Sequence, residues 1–326
     1  TMMMYNLWLA VPVSFALTWA VVRLRLRFAD RGLDQPNHRS LHEQPTPHGG
    51  GLGIVLALLV VGAWIGTPLL LLTVVLSLAL LSLADDVRHL PFWLRLAGHL
   101  GAAAILCHLI GLPAWWWPPA MLAVGWMTNL YNFMDGADGL AGSQGVTGFS
   151  AYAAGFVLSG DAVLAAWCAA AAAACAGFLC FNWPPARIFM GDVGSIPLGF
   201  LAGGMGMMGA RQGAWPWWFP LMAFAPFVLD ASATLLRRAL AGKRAWEAHR
   251  EHTYQRMVRM GYGHRGMTLR WAALMAAGTL LAVALLALPA WAQWVAVLGW
   301  LTFLAWLGIR TISTHSTHVG RPSGRQ

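Results

Sequence analysis

The chain has 326 residues, 58% hydrophobic and only 10% charged, with a mean hydropathy of +0.59. A soluble domain carries about 25% charge, so the composition excludes a soluble globule and predicts an all-α polytopic membrane protein. The net charge of +9 is read as a bias of basic loops toward one membrane face and an attraction for anionic lipid or a phosphorylated substrate, with no nucleic-acid role.

Apolar segments fall at residues 5–22, 51–66, 68–84, 92–110, 115–130, 144–159, 162–181, 195–210, 215–236, 267–288 and 290–309. They make about eleven transmembrane helices, ten being the alternative count. Alternating segments of about ten residues, the mark of a membrane barrel, are absent. The first run lacks a basic leader and a small-residue cleavage site, so it is expected to be retained as a helix. Cys107, Cys168, Cys175 and Cys180 all lie in apolar runs without metal-ligand spacing and read as small buried residues. With eleven spans, the basic clusters after spans 1, 3, 7, 9 and 11 share one side and Arg211 falls on the other. The rule that basic loops stay inside then places the N-terminus in the periplasm and the C-terminus in the cytoplasm. The whole chain, residues 1–326, reads as a single integral membrane domain, with cytoplasmic loops 23–50 and 237–266 contributing to a site on that face.

The polar stretches follow in chain order. Residues 34–53 (D-Q-P-N-H-R-S-L-H-E-Q-P-T-P-H-G-G-G-L-G) hold three His, one Arg and a Gly run. They read either as a loop closing over a ligand, with His48 next to the glycines, or as a plain linker. Asp85 and Asp86 end span 3; adjacent carboxylates repel and call for a nearby cation, unless they form a solvated helix end. Residues 129–142 (N-L-Y-N-F-M-D-G-A-D-G-L-A-G) combine Asn129, Asn132, Asp135 and Asp138 with three glycines. Oxygen donors of this kind suit Mg²⁺ shared with substrate phosphates, the bland alternative being a polar interhelical turn. Residues 181–195 (F-N-W-P-P-A-R-I-F-M-G-D-V-G-S) set Asp192 between glycines at a helix start, a natural anion site, with Arg187 as a phosphate ligand. Asp230 lies inside span 9 and is expected to pair with Arg237 or Arg238 or to reach the site. Residues 237–270 carry nine basic and two acidic residues. Within them W-E-A-H-R-E-H-T-Y-Q-R-M (246–257) places His249 and His252 three apart, as phosphate or sugar contacts or surface residues; a zinc site would need further ligands. Asp161, at a short outer turn, reads as solvated. Together these parts describe a Mg²⁺ and diphosphate site at the inner membrane surface, suited to a nucleotide-activated substrate and an acceptor held in the bilayer.

D-D-V-R-H-L-P, N-L-Y-N-F-M-D-G-A-D-G-L-A-G and F-N-W-P-P-A-R-I-F-M-G-D-V-G-S, in this order, resemble the polyprenyl-phosphate N-acetylhexosamine-1-phosphate transferases. That superfamily includes the muramoyl-pentapeptide phosphotransferase of peptidoglycan synthesis. The loop N-H-R-S-L-H-E-Q-P-T-P-H-G-G-G also fits its bacterial branch, and the likeness runs from about Asp34 to Met257. The resemblance implies transfer of a sugar-1-phosphate from a UDP-N-acetyl sugar to undecaprenyl phosphate, releasing UMP, in a multi-pass protein of the bacterial inner membrane. It implies Mg²⁺, or Mn²⁺ in its place, held by Asn132 and Asp192. It makes Asp85 a base or acceptor-positioning carboxylate with Asp86 beside it, and adds His252 to the catalytic set. Asp135 and Asp138 would line the uridine and metal region, Asn182 would touch the nucleotide and Arg187 its phosphates. Arg95 would meet the acceptor phosphate, and His48, His249 and Arg250 would bind substrate. A homodimer is compatible with this reading. Where relatives carry H-x-H-H, this chain reads His252-Thr253-Tyr254-Gln255. The form A-H-R-E-H-T-Y-Q resembles the O-antigen-initiating branch that uses 6-deoxy sugars such as FucNAc or QuiNAc, with a UDP-GlcNAc-specific enzyme as the alternative.

Two rivals lack support in the sequence. A CDP-alcohol phosphotransferase needs further aspartates downstream of Asp138, and none follows until Asp161. A transporter would place its carboxylates at mid-bilayer; here they gather at one face, and only Asp230 is inside a span.

Overall fold

The structure is a computed structural model that describes residues 7–28, 33–34, 46–243 and 250–319. Helix α1 (Ala10–Arg27) leads to β1 (Leu33–Asp34), which pairs antiparallel with β2 (Thr46–Pro47). Next come α2 (Gly51–Ile65), α3 (Leu69–Arg88), α4 (Phe92–Leu109), α5 (Trp117–Phe133), α6 (Leu140–Ser159), α7 (Ala162–Asn182) and α8 (Asp192–Gln212). The last third holds α9 (Trp218–Ala223), α10 (Ala225–Leu240), α11 (Thr253–Met257), α12 (Gly263–Leu285) and α13 (Ala290–Val319). Apart from the two-residue strands, the described chain is helix and connection, an all-α polytopic membrane protein. Each apolar segment expected from the sequence is helical. Six described helical runs are individually long and apolar enough to cross a bilayer: α3, α4, α7, α8, the run from α11 through α12, and α13.

Helix α8 is the centre of the bundle and α13 its edge: 89% of the apolar window of α8 is buried within the protein, against 11% for α13. Small residues make the central contacts possible. Gly142 and Gly145 of α6 lie against Leu179 and Cys175 of α7, where a Cβ would collide. Polar side chains inside the bundle spend their hydrogen bonds on neighbouring backbone. The Ser14 hydroxyl donates to the Ala170 carbonyl at 2.8 Å, Tyr152 Oη to Ala202 at 2.6 Å, and Trp167 Nε1 to Leu58 at 3.1 Å. Interhelical bonds of this type contribute about 0.6 kcal/mol each in membrane proteins. Cys107, Cys168 and Cys175 are buried thiols as expected, while Cys180 is exposed. Asp161 does more than face solvent: it caps α7 by accepting the Leu164 N–H at 3.0 Å.

One expected span is divided. Residues 215–236 form α9 and α10 with a break at Phe224, whose φ is −119°. Pro226 explains it, because its nitrogen has no proton to give to Met222 and its ring would clash with that carbonyl. Gln144 of α6 donates Nε2 to the Ala223 carbonyl beside the break at 2.9 Å.

The tightest crossing lies where α2 and α8 begin. A Cβ on Gly51 would strike the backbone of Gly194, and one on Gly194 would strike Gly51. Backbone bonds fasten the same spot: Gly50 N–H to Phe189 at 2.9 Å, Gly51 N–H to Met190 at 3.0 Å, and Phe189 N–H to Pro47 at 2.8 Å. The residues before α2 are thereby paired to the residues before α8. We expect Gly51→Ala to lower the thermal midpoint in detergent micelles by an overpacking cost of about 1–3 kcal/mol. Gly101, inside α4 with open space around it, is the control: Gly101→Ala should raise stability by roughly 0.5–1 kcal/mol. Equal shifts for the two would refute the close-approach argument.

Candidate functional site

Asp85 and Asp86 stand in the last turn of α3, Asn132 in the last turn of α5, and Asp192 at the first residue of α8. The chain direction brings these ends together. Asn132 Nδ2 lies 2.7 Å from Asp192 Oδ1 and 2.9 Å from Ser195 Oγ. Asp86 is within electrostatic range of Asp192, Asp85 and His48, so the pairing of the residues before α2 with those before α8 delivers His48 to the carboxylates. Burial, and then Asp192, push the Asp135 carboxyl well above the usual carboxylate range, against one N–H offered by Gly191. The structure therefore gathers Asp86, Asn132, Asp135, Asp192 and His48 at one end of the bundle, with Asn132 bonded to Asp192 and the others within electrostatic range of this pair or of Asp86.

These donors fit a hard divalent cation. They are oxygen-rich, and their negative charges crowd one another without an arginine or lysine between Asp135 and Asp192 among the described contacts. Among the described residues no three His, Cys, Asp or Glu side chains converge tightly enough to cage an ion alone. An ion here would take most of its ligands from water and substrate phosphate, which suits Mg²⁺.

Asp85 has a different partner. Helix α3 closes at His89, in a left-handed conformation with φ 49°, and this turn lets Asp85 Oδ1 accept the Leu90 N–H at 2.7 Å. Its other oxygen accepts from Arg95 of α4 at 2.8 Å. The carboxylate thus fixes the guanidinium, which remains 39% exposed and open to a further anion.

Asp138 and Asn182 form a latch rather than an open surface. Asp138 is buried, accepts the Ala186 N–H at 3.0 Å, and meets His264 Nδ1 at 3.2 Å. Asn182, also buried, accepts the Gly139 N–H at 2.9 Å and donates to Ile188 at 2.8 Å. Both amide ends are used by backbone, so Asn182 makes a structural bond between two loops. Arg187 is exposed and turned outward, donating to the Cys180 carbonyl at 3.0 Å with its guanidinium over the Phe181 ring.

The basic loop folds onto residues 129–142 through Tyr254. Its hydroxyl donates to the Phe133 carbonyl at 3.2 Å and lies so close to Gly136 that no Cβ would fit there. Buried His252 stacks on Tyr254 with ring centroids 5.7 Å apart. Asp230 holds this segment: it accepts the N–H groups of Thr253 at 2.8 Å and Tyr254 at 3.4 Å, and the Thr234 hydroxyl at 3.3 Å. Its expected pairing with Arg237 or Arg238 is replaced by a helix-start bond, because two aligned N–H groups satisfy a buried carboxylate well. Arg238 instead pairs with Glu251, which Lys243 also meets at 3.1 Å. Despite the desolvation that raises it, these two cations hold the Glu251 carboxyl below its usual range. Arg250 is half-buried and its carbonyl accepts from Arg259. His249 lies outside the described residues, as do His38, Arg39, His42 and Glu247.

Tyr254, His264 and Ser195 are site neighbours that sequence reasoning does not reach. Tyr254 and Ser195 sit inside motifs already singled out, yet no spacing rule assigns a partner to either. His264 meets Asp138 across 126 residues, a separation no local pattern can signal.

Residues 68–210 match the family model described as Glycosyl transferase family 4. The chain is 27% identical over 272 residues to the probable undecaprenyl-phosphate N-acetylglucosaminyl 1-phosphate transferase of Bacillus subtilis, covering 76% of this chain and 75% of that one. It is 27% identical to the decaprenyl-phosphate N-acetylglucosaminephosphotransferase of Mycolicibacterium smegmatis, over 82% and 79% of the two chains. It is 30% identical to the phospho-N-acetylmuramoyl-pentapeptide-transferase of Heliobacterium modesticaldum, over 69% and 80%.

The histidine stacked on Tyr254 gives a pH prediction. Burial first, with Arg237 and Arg238 adding to it and Asp230 opposing, holds the His252 imidazole below its usual value of 6.5. The unfolded chain takes up a proton near 6.5 while the folded one resists. Stability present above that pH is therefore lost as pH falls through 6.5 toward the folded value. His252→Gln should flatten the decline of the thermal midpoint on acidification; an unchanged slope would place the acid sensitivity elsewhere.

Proposed function

The chain belongs to the polyprenyl-phosphate hexosamine-1-phosphate transferases of glycosyl transferase family 4, and from that membership we propose that it moves an N-acetylhexosamine-1-phosphate from a UDP-sugar to undecaprenyl phosphate. The products are undecaprenyl-diphospho-sugar and UMP. We place the reaction at the cytoplasmic face of a bacterial inner membrane, as the first step of an O-antigen or other envelope glycan. The observation that carries the reading is the convergence of Asp86, Asn132, Asp135 and Asp192 at the end of the bundle where the Asp85–Arg95 pair also lies.

An oxygen of the acceptor phosphate attacks the phosphorus that bears the sugar, and the bond from that phosphorus to UMP breaks. A phosphate monoester has a second pKa near ~6 and is mostly a dianion at neutral pH, so no proton need be removed from it. What the protein must supply is charge neutralisation and in-line placement. Arg95, aimed by Asp85, is suited to hold the acceptor phosphate. Asn132 and Asp192 would hold Mg²⁺, or Mn²⁺, which would neutralise charge on the donor diphosphate. His48 is proposed to meet the donor, and His252 to support the site from its stack on Tyr254. Asp85 is in this reading a positioning residue, in contrast to a general base.

The form of residues 252–255 supports a 6-deoxy donor such as UDP-FucNAc or UDP-QuiNAc. The names of the Bacillus and Mycolicibacterium relatives favour the alternative, UDP-GlcNAc. Turnover of the three UDP-sugars by purified protein decides between them, and use of UDP-GlcNAc alone would remove the deoxy-sugar assignment. Exchange of radiolabelled UMP into UDP-sugar should require both a divalent cation and polyprenyl phosphate.

Two substitutions test the roles. Asp192→Asn should lower kcat on the order of 10²–10³-fold, the size of one lost electrostatic contact to developing charge, with excess Mg²⁺ restoring part of it. Asp85→Asn should raise KM for polyprenyl phosphate more than it lowers kcat, with a flat pH–rate profile. Activity of Asp85→Asn that recovers strongly above neutral pH would show a base role and defeat the positioning reading.

A further inference from the structure

A second cavity lies away from the carboxylates. It has a volume of about 580 Å³, is lined by α10, α11, α12 and α13, and is open on one side. Its walls are apolar, among them Pro226, Leu229, Leu274 and Leu304, and its one charged end carries Arg237 and Arg270. The lining residues on α10 run from Pro226 to Arg237, a length of roughly 16 Å at the helical rise. This is a slot along a membrane helix with a cationic mouth. The mouth lies at the end of α10 that holds the basic loop, since Thr253 and Met257 of α11 also line it.

We infer that this slot is a binding site for an anionic phospholipid drawn from the adjacent leaflet, its acyl chain lying along α10 and its phosphate held by Arg237 and Arg270. Charge complementarity selects the occupant. Arg237 gives one N–H to the Glu251 carbonyl at 3.0 Å, and Arg270 gives one to Gly266 at 2.8 Å while stacking on Tyr262. A guanidinium has five N–H groups in a fork that matches phosphate. Asp230 also lines the slot, but both its oxygens accept N–H groups of α11, and it lies about two helical turns along α10 from Arg237. Polyprenyl phosphate is the wrong occupant here, because α11 stands between the slot and the carboxylates: Asp230 bonds to its first residues and Tyr254 abuts Gly136. A phosphate bound at Arg237 and Arg270 is on the far side of that helix from Asp192.

A lipid in the slot touches the segment that follows His252. Its occupancy therefore steadies α11 against residues 133–136 without taking part in transfer.

Native mass spectrometry and thermal unfolding of the full chain in detergent test this, with phosphatidylglycerol and a phosphatidylcholine of the same acyl chains as probes. Phosphatidylglycerol should bind saturably at one site and raise the thermal midpoint, while phosphatidylcholine should not. Arg270→Gln should weaken phosphatidylglycerol roughly tenfold, as for one lost charge-assisted contact, and Ala233→Trp, which fills the slot, should do at least as much. Arg211→Gln, at the opposite end of the bundle, should change nothing. Equal binding of the two phospholipids, or unchanged binding in Arg270→Gln, would overturn the inference. So would undecaprenyl phosphate that displaces phosphatidylglycerol one for one, since the slot would then belong to the acceptor. If Ala233→Trp does not fold, Arg270→Gln decides alone. The readout is binding, so it stands or falls independently of which sugar, or whether any, is transferred.

Discussion

Two glycines set how near α2 and α8 can start to one another, and the polar end of the protein depends on that distance. With Gly51 seated on Gly194, three backbone hydrogen bonds join residues 47–51 to residues 189–190. The turn that carries Asp192 and the segment that carries His48 are then one unit. Asp192 is in turn the partner of Asn132 and a neighbour of Asp86 and Asp135. A larger residue at either glycine would separate the helix starts, and the four acidic and amide side chains would lose their common point.

Concentrated negative charge at a membrane surface is unfavourable unless the surrounding chain holds it in place. The holding is done by hydrogen bonds between the surrounding loops and helices. Asp138 and Asn182 tie the loop after α5 to the loop after α7. Tyr131 ties the end of α5 to α6 through the Ala141 carbonyl at 2.7 Å, and Tyr254 ties the basic loop to Phe133. The conspicuous carboxylates thus divide into two kinds. Asp86, Asp135 and Asp192 crowd one another and call for a cation, whereas Asp85, Asp138 and Asp230 are each committed to an arginine, a histidine or backbone N–H groups.

This division explains what could be read from the sequence. The helices were legible because eleven apolar runs of near-bilayer length leave few other structures for them to form. The convergence of the motifs was legible as well, since alternating spans and one-sided basic loops put Asp85, Asn132, Asp192 and His252 at the same end. The individual roles were less accessible. Asp138 and Asn182 carry the same residue types as a nucleotide site, and only their distances to Ala186 and Gly139 reveal them as ties. Arg187 has the sequence position of a phosphate ligand, and its seat over the ring of Phe181 is a contact that the sequence does not signal. The break at Phe224 was signalled by Pro226 but obscured by the continuous hydrophobicity around it.

That break separates two mechanical duties along what looks like one apolar stretch. Helix α9 is wedged among aromatic rings, with Trp215 and Phe219 stacked 4.9 Å apart, and belongs to the rigid body of the bundle. Helix α10 carries Asp230, Arg237 and Arg238, side chains that moor the basic loop. A continuous helix would transmit every change in loop position into the packed core as a lever does. The interruption acts as a joint, so the loop over the carboxylates can vary in length and sequence while the scaffold that positions Asp192 keeps its shape.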